Sequence, residues 1–125
     1  MAGSSGSFHE DVAHLSLETM DRHRAIVSIM EELEAVDWFD QRVSAASDGE
    51  LGQILAHNRD EEKEHAAMLL EWLRRKDPGF EAQLRTYLFA DTPVLEIEAV
   101  DNAAASGSDS EGSLGIGSLK TETGS

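Results

Sequence analysis

The sequence predicts an all-α fold: an antiparallel hairpin of two long helices followed by a short third helix. Residues 9–46 contain no proline or glycine and are rich in Glu, Ala, Leu, Met and Arg, which favour helices. The Ser-Asp-Gly-Glu segment at 47–50 breaks this helix and starts a second one, with Ser47 as the expected N-cap and Glu50 as its capping-box partner. The second helix is expected to run to about Lys76.

Proline and glycine also set the organisation of the rest of the chain. The Asp-Pro-Gly segment at 77–79 is expected to stop the second helix. A third helix is predicted over about residues 80–89, before the Thr-Pro pair at 92–93. Residues 94–100 predict a turn or two of amphipathic structure, and the Gly/Ser/Ala-rich acidic run at 103–117 predicts a flexible tether.

These boundaries divide the chain into three regions. We expect a disordered N-terminus over residues 1–8, a helical domain over 9–92 and a flexible acidic tail over 93–125. The tail carries one apolar motif at 114–120, Leu-Gly-Ile-Gly-Ser-Leu-Lys. Large apolar side chains on a flexible tail usually fill a groove of a partner, and a chance grouping is the alternative. The members that would make contact are Leu114, Ile116, Leu119 and Lys120.

Two ionisable residues, Glu62 and His65, lie in the middle of the apolar stripe of the second helix. At about 100° per residue they share a face with apolar residues on both sides. A buried carboxylate and imidazole are costly unless a charged partner compensates them, and side chains three residues apart can bind one metal ion. The other members of the predicted stripe are Leu51, Ile54, Leu55, Asn58, Leu69, Trp72 and Leu73.

Glu32 is the complementary carboxylate on the first helix, where its own face is also largely apolar. A di-metal site in a four-helix bundle takes a Glu from each of two helices and a Glu-x-x-His from each of the other two. This chain therefore has half of such a site, and a two-helix hairpin cannot cover its own apolar stripes. We expect two copies to pair about a two-fold axis, which completes both the bundle and the site.

Composition limits the chemistry that the 125-residue chain can perform. The absence of cysteine excludes disulfides, thiolate catalysis and iron–sulfur clusters, so that any metal must be held by carboxylates and imidazoles. The net charge of −15 argues against nucleic acid and favours cations. The first seven residues have no apolar signal region and no run of eighteen apolar residues is present, so we expect a soluble protein without a membrane span.

Two further acidic groups are candidates for metal ions. Glu31 and Trp38 share one side of the first helix and Glu34 borders it. If a dimer axis lies nearby, the duplicated carboxylates would draw divalent cations inward. The alternative is a set of solvated carboxylates beside a partly packed tryptophan.

The second group consists of His57, Glu61 and Glu64, spaced to share a face roughly 100° from the buried stripe. These residues could hold a peripheral metal ion. A solvent-exposed polar stripe is the favoured alternative for them.

Several stretches of the sequence resemble the encapsulated ferritin family, half-size ferritin-like proteins carried as cargo in encapsulin shells. The matching stretches are His-Arg-Ala-Ile-Val-Ser at 23–28, Met-Glu-Glu-Leu-Glu-Ala-Val-Asp-Trp at 30–38, Leu-Ala-His-Asn-Arg-Asp-Glu-Glu-Lys-Glu-His-Ala at 55–66 and Trp-Leu-Arg-Arg at 72–75. The sequence departs from the family in two features. Phe39 stands where the family frequently has a tyrosine, and residues 121–125 extend beyond the motif that ends the chain in the family.

The resemblance implies a ferroxidase that oxidises Fe(II) with O₂. The positions matching Glu32, Glu62 and His65 would bind a di-iron centre across a subunit interface, and those matching Glu31, Glu34 and Trp38 would line the access route. The helical domain would be a ferritin-like half-bundle that assembles as five dimers in a decameric ring. Residues 114–120 would dock this cytoplasmic protein inside an encapsulin compartment that stores the iron.

The residues themselves leave two alternatives to this function. Carboxylates with one imidazole suit Fe, Mn or Zn, so the chain could be a helical dimer that holds a divalent metal without catalysis. It could also be an interaction module that its tail recruits to a partner.

Overall fold

The computed structural model describes residues 7–107 and confirms the all-α prediction, since no strand occurs among them. A single 3₁₀ turn precedes four α-helices, and the first two helices form the expected hairpin. None of the helices in this range is both long enough and apolar enough to span a membrane. The elements in chain order are the turn Val12–His14, α1 Leu17–Ala45, α2 Gly49–Lys76, α3 Pro78–Tyr87 and α4 Val94–Gly107.

Helix α1 begins later than the sequence pattern predicts. Ser16 is its N-cap, and the Ser16 hydroxyl accepts a hydrogen bond from the Thr19 N–H at 3.0 Å. Upstream, the Asp11 carboxylate accepts from the Ala13 N–H at 3.0 Å and caps the 3₁₀ turn. The predicted start near residue 9 is wrong because these two short polar side chains bond to the backbone locally and compete with a continuous helix.

The turn between α1 and α2 is only three residues long, which places the helices side by side and antiparallel. Asp48 caps α2, because its Oδ2 accepts from the Leu51 N–H at 2.9 Å. Asp48 therefore has the capping role that we predicted for Ser47. The predicted ends near Ala46 and Lys76 agree with the structure to within a residue.

Helix α3 starts at Pro78, two residues earlier than predicted. The Asp77 carboxylate accepts from the Phe80 N–H at 3.1 Å, so the Asp-Pro-Gly segment starts α3 as well as ending α2. The helix ends at Tyr87, and Phe89 follows it in the left-handed region with a φ of 62°. The chain divides between Lys76 and Asp77 into two compact units, with α1 and α2 in the first and α3 and α4 in the second.

Helix α4 is longer than predicted from the sequence. It spans Val94–Gly107, so residues 103–107, which we predicted as the start of a tether, are helical. The alanine run at 103–105 favours this continuation because alanine has the highest helix propensity. The rest of the predicted tail, including the motif at 114–120, lies outside the described residues, as do residues 1–6. The proposed domain boundaries at residues 8 and 92 stay predictions.

The hairpin leaves much of its apolar surface uncovered. The buried apolar residues of the described chain are Ala25 on α1 and Ala66 and Leu73 on α2. In the predicted inward stripe, Leu51 is 49% exposed and Ile54 is 52% exposed, because two helices bury only the strip along their contact. The open apolar area fits the expectation that one hairpin cannot cover its own stripes. Other exposed apolar residues of the hairpin are Leu17, Ile26, Met30, Leu33, Trp38 and Met68.

Candidate metal centre

The structure brings Glu32 of α1 together with Glu62 and His65 of α2. Each of these side chains offers one ligand atom, and the three atoms lie within 4.8 Å of one another. Within residues 7–107, they form the one such group of three His, Asp or Glu side chains. The Glu-x-x-His spacing places Glu62 and His65 on adjacent turns of α2, and the antiparallel contact brings Glu32 to face them.

His65 Nδ1 faces both carboxylates. It lies 3.2 Å from Glu62 Oε1 and 3.6 Å from Glu32 Oε1. Metal–ligand bonds from histidine and carboxylate are about 2.0–2.2 Å long, so two ligands of one ion can be up to about 4.3 Å apart. These separations therefore fit an ion seated between the three side chains. When Nδ1 carries a proton, it donates a hydrogen bond to Glu62 instead.

The three side chains are half-buried in the single chain and not fully buried as the pattern predicted. Their exposed fractions are 26% for Glu32, 25% for Glu62 and 45% for His65. Helices α1 and α2 cover the cluster on one side only, which leaves these fractions of the side chains exposed. The cluster thus has an open side that further ligands can reach.

Hydrogen bonding within the cluster shifts the pKa of each group. A hydrogen bond to Glu62 raises the pKa of Glu32, and burial adds to this effect. Hydrogen bonds from Glu32 and from His65 lower the pKa of Glu62. The hydrogen bond to Glu62 raises the pKa of His65. A cation that binds these groups would displace the protons they carry.

The predicted access group remains on the outer surface of α1. Glu31, Glu34 and Trp38 are all exposed, and Trp38 is 49% exposed. Trp38 also lines an open pocket of about 290 Å³ together with Gln41 and Arg42. The structure does not bring Glu31 and Glu34 into the cluster, and their role in access stays a prediction.

In the predicted peripheral group, His57 and Glu61 contact each other and Glu64 is separate. His57 Nε2 lies 3.1 Å from Glu61 Oε2, with the side chains 68% and 53% exposed. Glu64 is exposed and does not join them in a three-ligand group. This arrangement is typical of the solvent-exposed polar stripe that the sequence analysis favoured, and a metal ion there stays a prediction.

Arg59 is a residue whose role the sequence analysis missed. Arg59 Nη1 crosses to α1 and lies 2.9 Å from Asp40 Oδ1. Helical periodicity could have indicated this contact, because Arg59 lies about 60° from Glu62 around α2, on the side that faces α1. Phe39, where the family frequently has tyrosine, is half-buried, and Arg42 lies 5.4 Å from its ring centre.

Two antiparallel helices that set one glutamate against a Glu-x-x-His pair define the half-bundle of a ferritin-like protein. Comparison with known families agrees with this class. The chain belongs to the EncFtn-like family, whose model matches residues 7–91. The family resemblance noted from the sequence is thereby confirmed.

Similar proteins occur in several bacteria. The chain is 62% identical to the encapsulated ferritin-like protein of Rhodospirillum rubrum, over 98% of this chain and 94% of that protein. It is 50% identical to a ferritin-like protein of Thermotoga maritima, over 90% and 96% of the two chains. A solved structure, protein ne0167 from Nitrosomonas europaea, superposes with a TM-score of 0.68 at 61% identity, covering 70% of this chain and 97% of that one.

Proposed function

We propose that this protein is a ferroxidase, which oxidises Fe(II) to Fe(III) with O₂ at a di-iron site shared by two copies of the chain. The observation that supports the proposal is the convergence of Glu32, Glu62 and His65 within 4.8 Å on a half-covered side of the hairpin. One chain supplies two carboxylates and one imidazole, which is half of the ligand set of a ferritin-like di-metal site. Two chains related by a two-fold axis would supply the whole set.

Charge balance favours this pairing. Two copies of the cluster hold four carboxylates, whose about four negative charges balance the four positive charges of two divalent ions. Glu62 would bridge the ions, and Glu32 and His65 would complete the ligand set of each one. Bound iron supplies the electron transfer to dioxygen. The protein residues would hold the two ions, with two carboxylates and one imidazole from each chain.

The encapsulin shell is the proposed partner. The relative from Rhodospirillum rubrum is named an encapsulated protein, and a 32% identical relative from Myxococcus xanthus is named an encapsulin nanocompartment cargo protein, matching 57% of this chain and 55% of that one. We propose that residues 114–120 dock this chain inside such a shell, which would store the ferric product. Assembly of the dimers into a decameric ring stays a prediction.

Stopped-flow mixing tests the proposed activity directly. Protein loaded anaerobically with Fe(II) is mixed with O₂, and we expect ferric absorbance to form faster than in buffer with the same iron. A rate equal to that of buffer would favour the alternative, a helical dimer that holds a divalent metal without catalysis.

Metal binding by the cluster is expected to weaken as the pH falls. His65 must lose its proton to bind a metal ion, and its raised pKa means that it holds this proton to a higher pH than an ordinary histidine. The metal-bound state carries fewer protons than the free state, so affinity rises with pH. As the pH is lowered, titration with Co(II) should show that affinity already begins to fall before pH 6.5, the ordinary histidine value, is reached. Affinity should fall further at the lower pH where Glu32 gains a proton. Constant affinity between pH 8 and pH 6 would contradict the assignment of His65 as a ligand.

Removal of the tail is expected to separate the two proposed functions. A chain that ends at Gly112 lacks the apolar motif at 114–120 but keeps the hairpin and the cluster. When the shortened chain is co-expressed with an encapsulin shell protein, we expect purified shells to contain at least about tenfold less of it than of the full-length chain. Its rate of iron oxidation should be unchanged. Replacement of residues 121–125 alone is the matched control and should leave the load unchanged. Equal loading of the shortened chain would contradict docking through the tail.

A further inference from the structure

Arg59 contacts both helices of the hairpin at once. Its Nη1 lies 2.9 Å from Asp40 Oδ1 on α1, and its Nε lies 3.1 Å from Asp60 Oδ1 on its own helix. Lys63 Nζ approaches the same Asp60 oxygen at 3.6 Å. The Arg59 side chain is 22% exposed, against 67% for Asp40 and 60% for Asp60. Its stem therefore packs on the protein, while two carboxylates fix the direction of its planar guanidinium.

This cross-link lies close to the candidate metal centre but at the other edge of the α2 face that packs on α1. Arg59 precedes Glu62 by one helical turn and lies about 120° around α2 from His65. The link to Asp40 and the contact of His65 with Glu32 thus lie at different edges of the α1–α2 contact. A link at one edge controls how far α2 can roll against α1, and the roll sets where His65 points at the other edge.

Other features of the hairpin restrain this roll weakly. The connecting turn fixes the helices at one end only, and Glu32 is about 20 Å from the end of α1 at about 1.5 Å per residue. The buried apolar residues nearest the cluster, Ala25 and Ala66, have small side chains that interlock little, and the larger buried Leu73 lies eight residues after His65, towards the far end of α2. A roll of about 20° would move a side chain at a radius of about 5–6 Å by about 2 Å. Such a shift would separate His65 from Glu32, now 3.6 Å apart, beyond the reach of one ion.

We propose that Arg59 is a positioning residue, which through its contact with Asp40 sets the rotation of α2 that brings Glu62 and His65 to face Glu32. This inference rests on the proposed function, because it concerns the same metal centre. The partners of Arg59 are Asp40 and Asp60, and neither is a proposed metal ligand. Arg59 would therefore affect the metal centre by setting the rotation of α2, and not by binding the metal.

The substitution Asp40→Asn tests the inference, because it removes the charged partner on α1 and leaves the metal ligands unchanged. Co(II) is titrated into the metal-free, full-length protein, and its visible absorption reports both affinity and ligand geometry. We expect affinity to fall about threefold to tenfold, with an altered Co(II) spectrum, since two copies of the link support each completed centre. Asp40→Glu keeps the carboxylate and should retain most of the affinity.

Asp60→Asn is the matched control. It changes the net charge by the same amount and also removes a partner of Arg59, but this partner is on α2 itself and cannot restrain one helix against the other. We expect its Co(II) affinity and spectrum to stay close to those of the unsubstituted protein. Thermal unfolding of the metal-free variants provides a second measurement, and similar melting temperatures for the two variants would show that lost stability does not cause the difference.

The outcomes separate this inference from the proposed function. If the unsubstituted protein fails to bind Co(II), both are overturned. If it binds Co(II) while Asp40→Asn has the same affinity and spectrum, only the positioning role is overturned. Equal weakening by Asp40→Asn and Asp60→Asn would also overturn that role, because contact with α1 would then have no special effect.

Discussion

Replacement of Glu62 by glutamine is expected to reduce iron oxidation to the rate seen in buffer, a loss of at least about 100-fold. Glu62 is the proposed bridging ligand, and two copies of it serve each completed site, so the substitution removes two of four negative charges that face two divalent ions. Glutamine keeps the size of the side chain and its ability to hydrogen-bond with His65. Stopped-flow absorbance after mixing Fe(II)-loaded protein with O₂ measures the effect.

The metal-free form of this variant should remain folded. A hydrogen bond to Glu62 raises the pKa of Glu32, and burial and charge repulsion from Glu62 add to this effect. Glutamine at position 62 removes the repulsion, and its amide can still form a hydrogen bond. We therefore expect a melting temperature equal to or slightly above that of the unsubstituted protein without metal, and no increase when Co(II) is added. A loss of oxidation together with these two results would identify a ligand defect and not a folding defect.

Glu61→Gln provides the control for the same chemical change. Glu61 is the preceding residue on α2, is exposed and pairs with His57 at 3.1 Å. It lies outside the cluster, so its replacement should leave both the oxidation rate and metal-induced stabilisation unchanged. Oxidation at the normal rate by Glu62→Gln would rule out Glu62 as an essential ligand. An equal loss in both variants would indicate general attraction of cations by the acidic surface.

Sequence periodicity was sufficient to predict the helical hairpin and the three residues that the structure brings together. The apolar residues around Glu62 and His65 identify the face of α2 that points towards α1, and Glu32 occupies the equivalent face of α1. Periodicity shows which face is apolar, but it does not show how much of that face one neighbouring helix covers. Leu51 and Ile54 are therefore half exposed although the pattern placed them inside.

Local capping and contacts distant in sequence explain the other differences. The start of α1 depends on hydrogen bonds from Ser16 and Asp11 to nearby backbone N–H groups, which override the helix-forming composition of the segment before Leu17. The link between Arg59 and Asp40 joins residues nineteen positions apart. It depends on the relative rotation of two packed helices, which charge pairing at i, i+3 and i, i+4 does not reveal.

Removal of metal is expected to weaken association between chains by about 100-fold for each bound ion. If ligands from both chains hold each ion, metal binds the dimer and not the separate chain, so it stabilises the dimer by mass action. Free metal at about 100 times its dissociation constant contributes about 2.7 kcal/mol, which is this 100-fold shift. Sedimentation velocity over a dilution series, with Co(II) or with a chelator, measures the change directly.

The variant Glu62→Gln again separates the explanations. With its bridging carboxylates removed, its association should be the same with Co(II) and with chelator, whereas Glu61→Gln should respond as the unsubstituted chain does. The exposed apolar residues of α2, such as Ile54 and Met68, would still drive some association without metal. The chelator should therefore weaken the dimer and not abolish it. A chain that binds Co(II) at full affinity while it stays monomeric would overturn the shared site. In that case three ligands from one hairpin would be sufficient to hold the metal without a second chain.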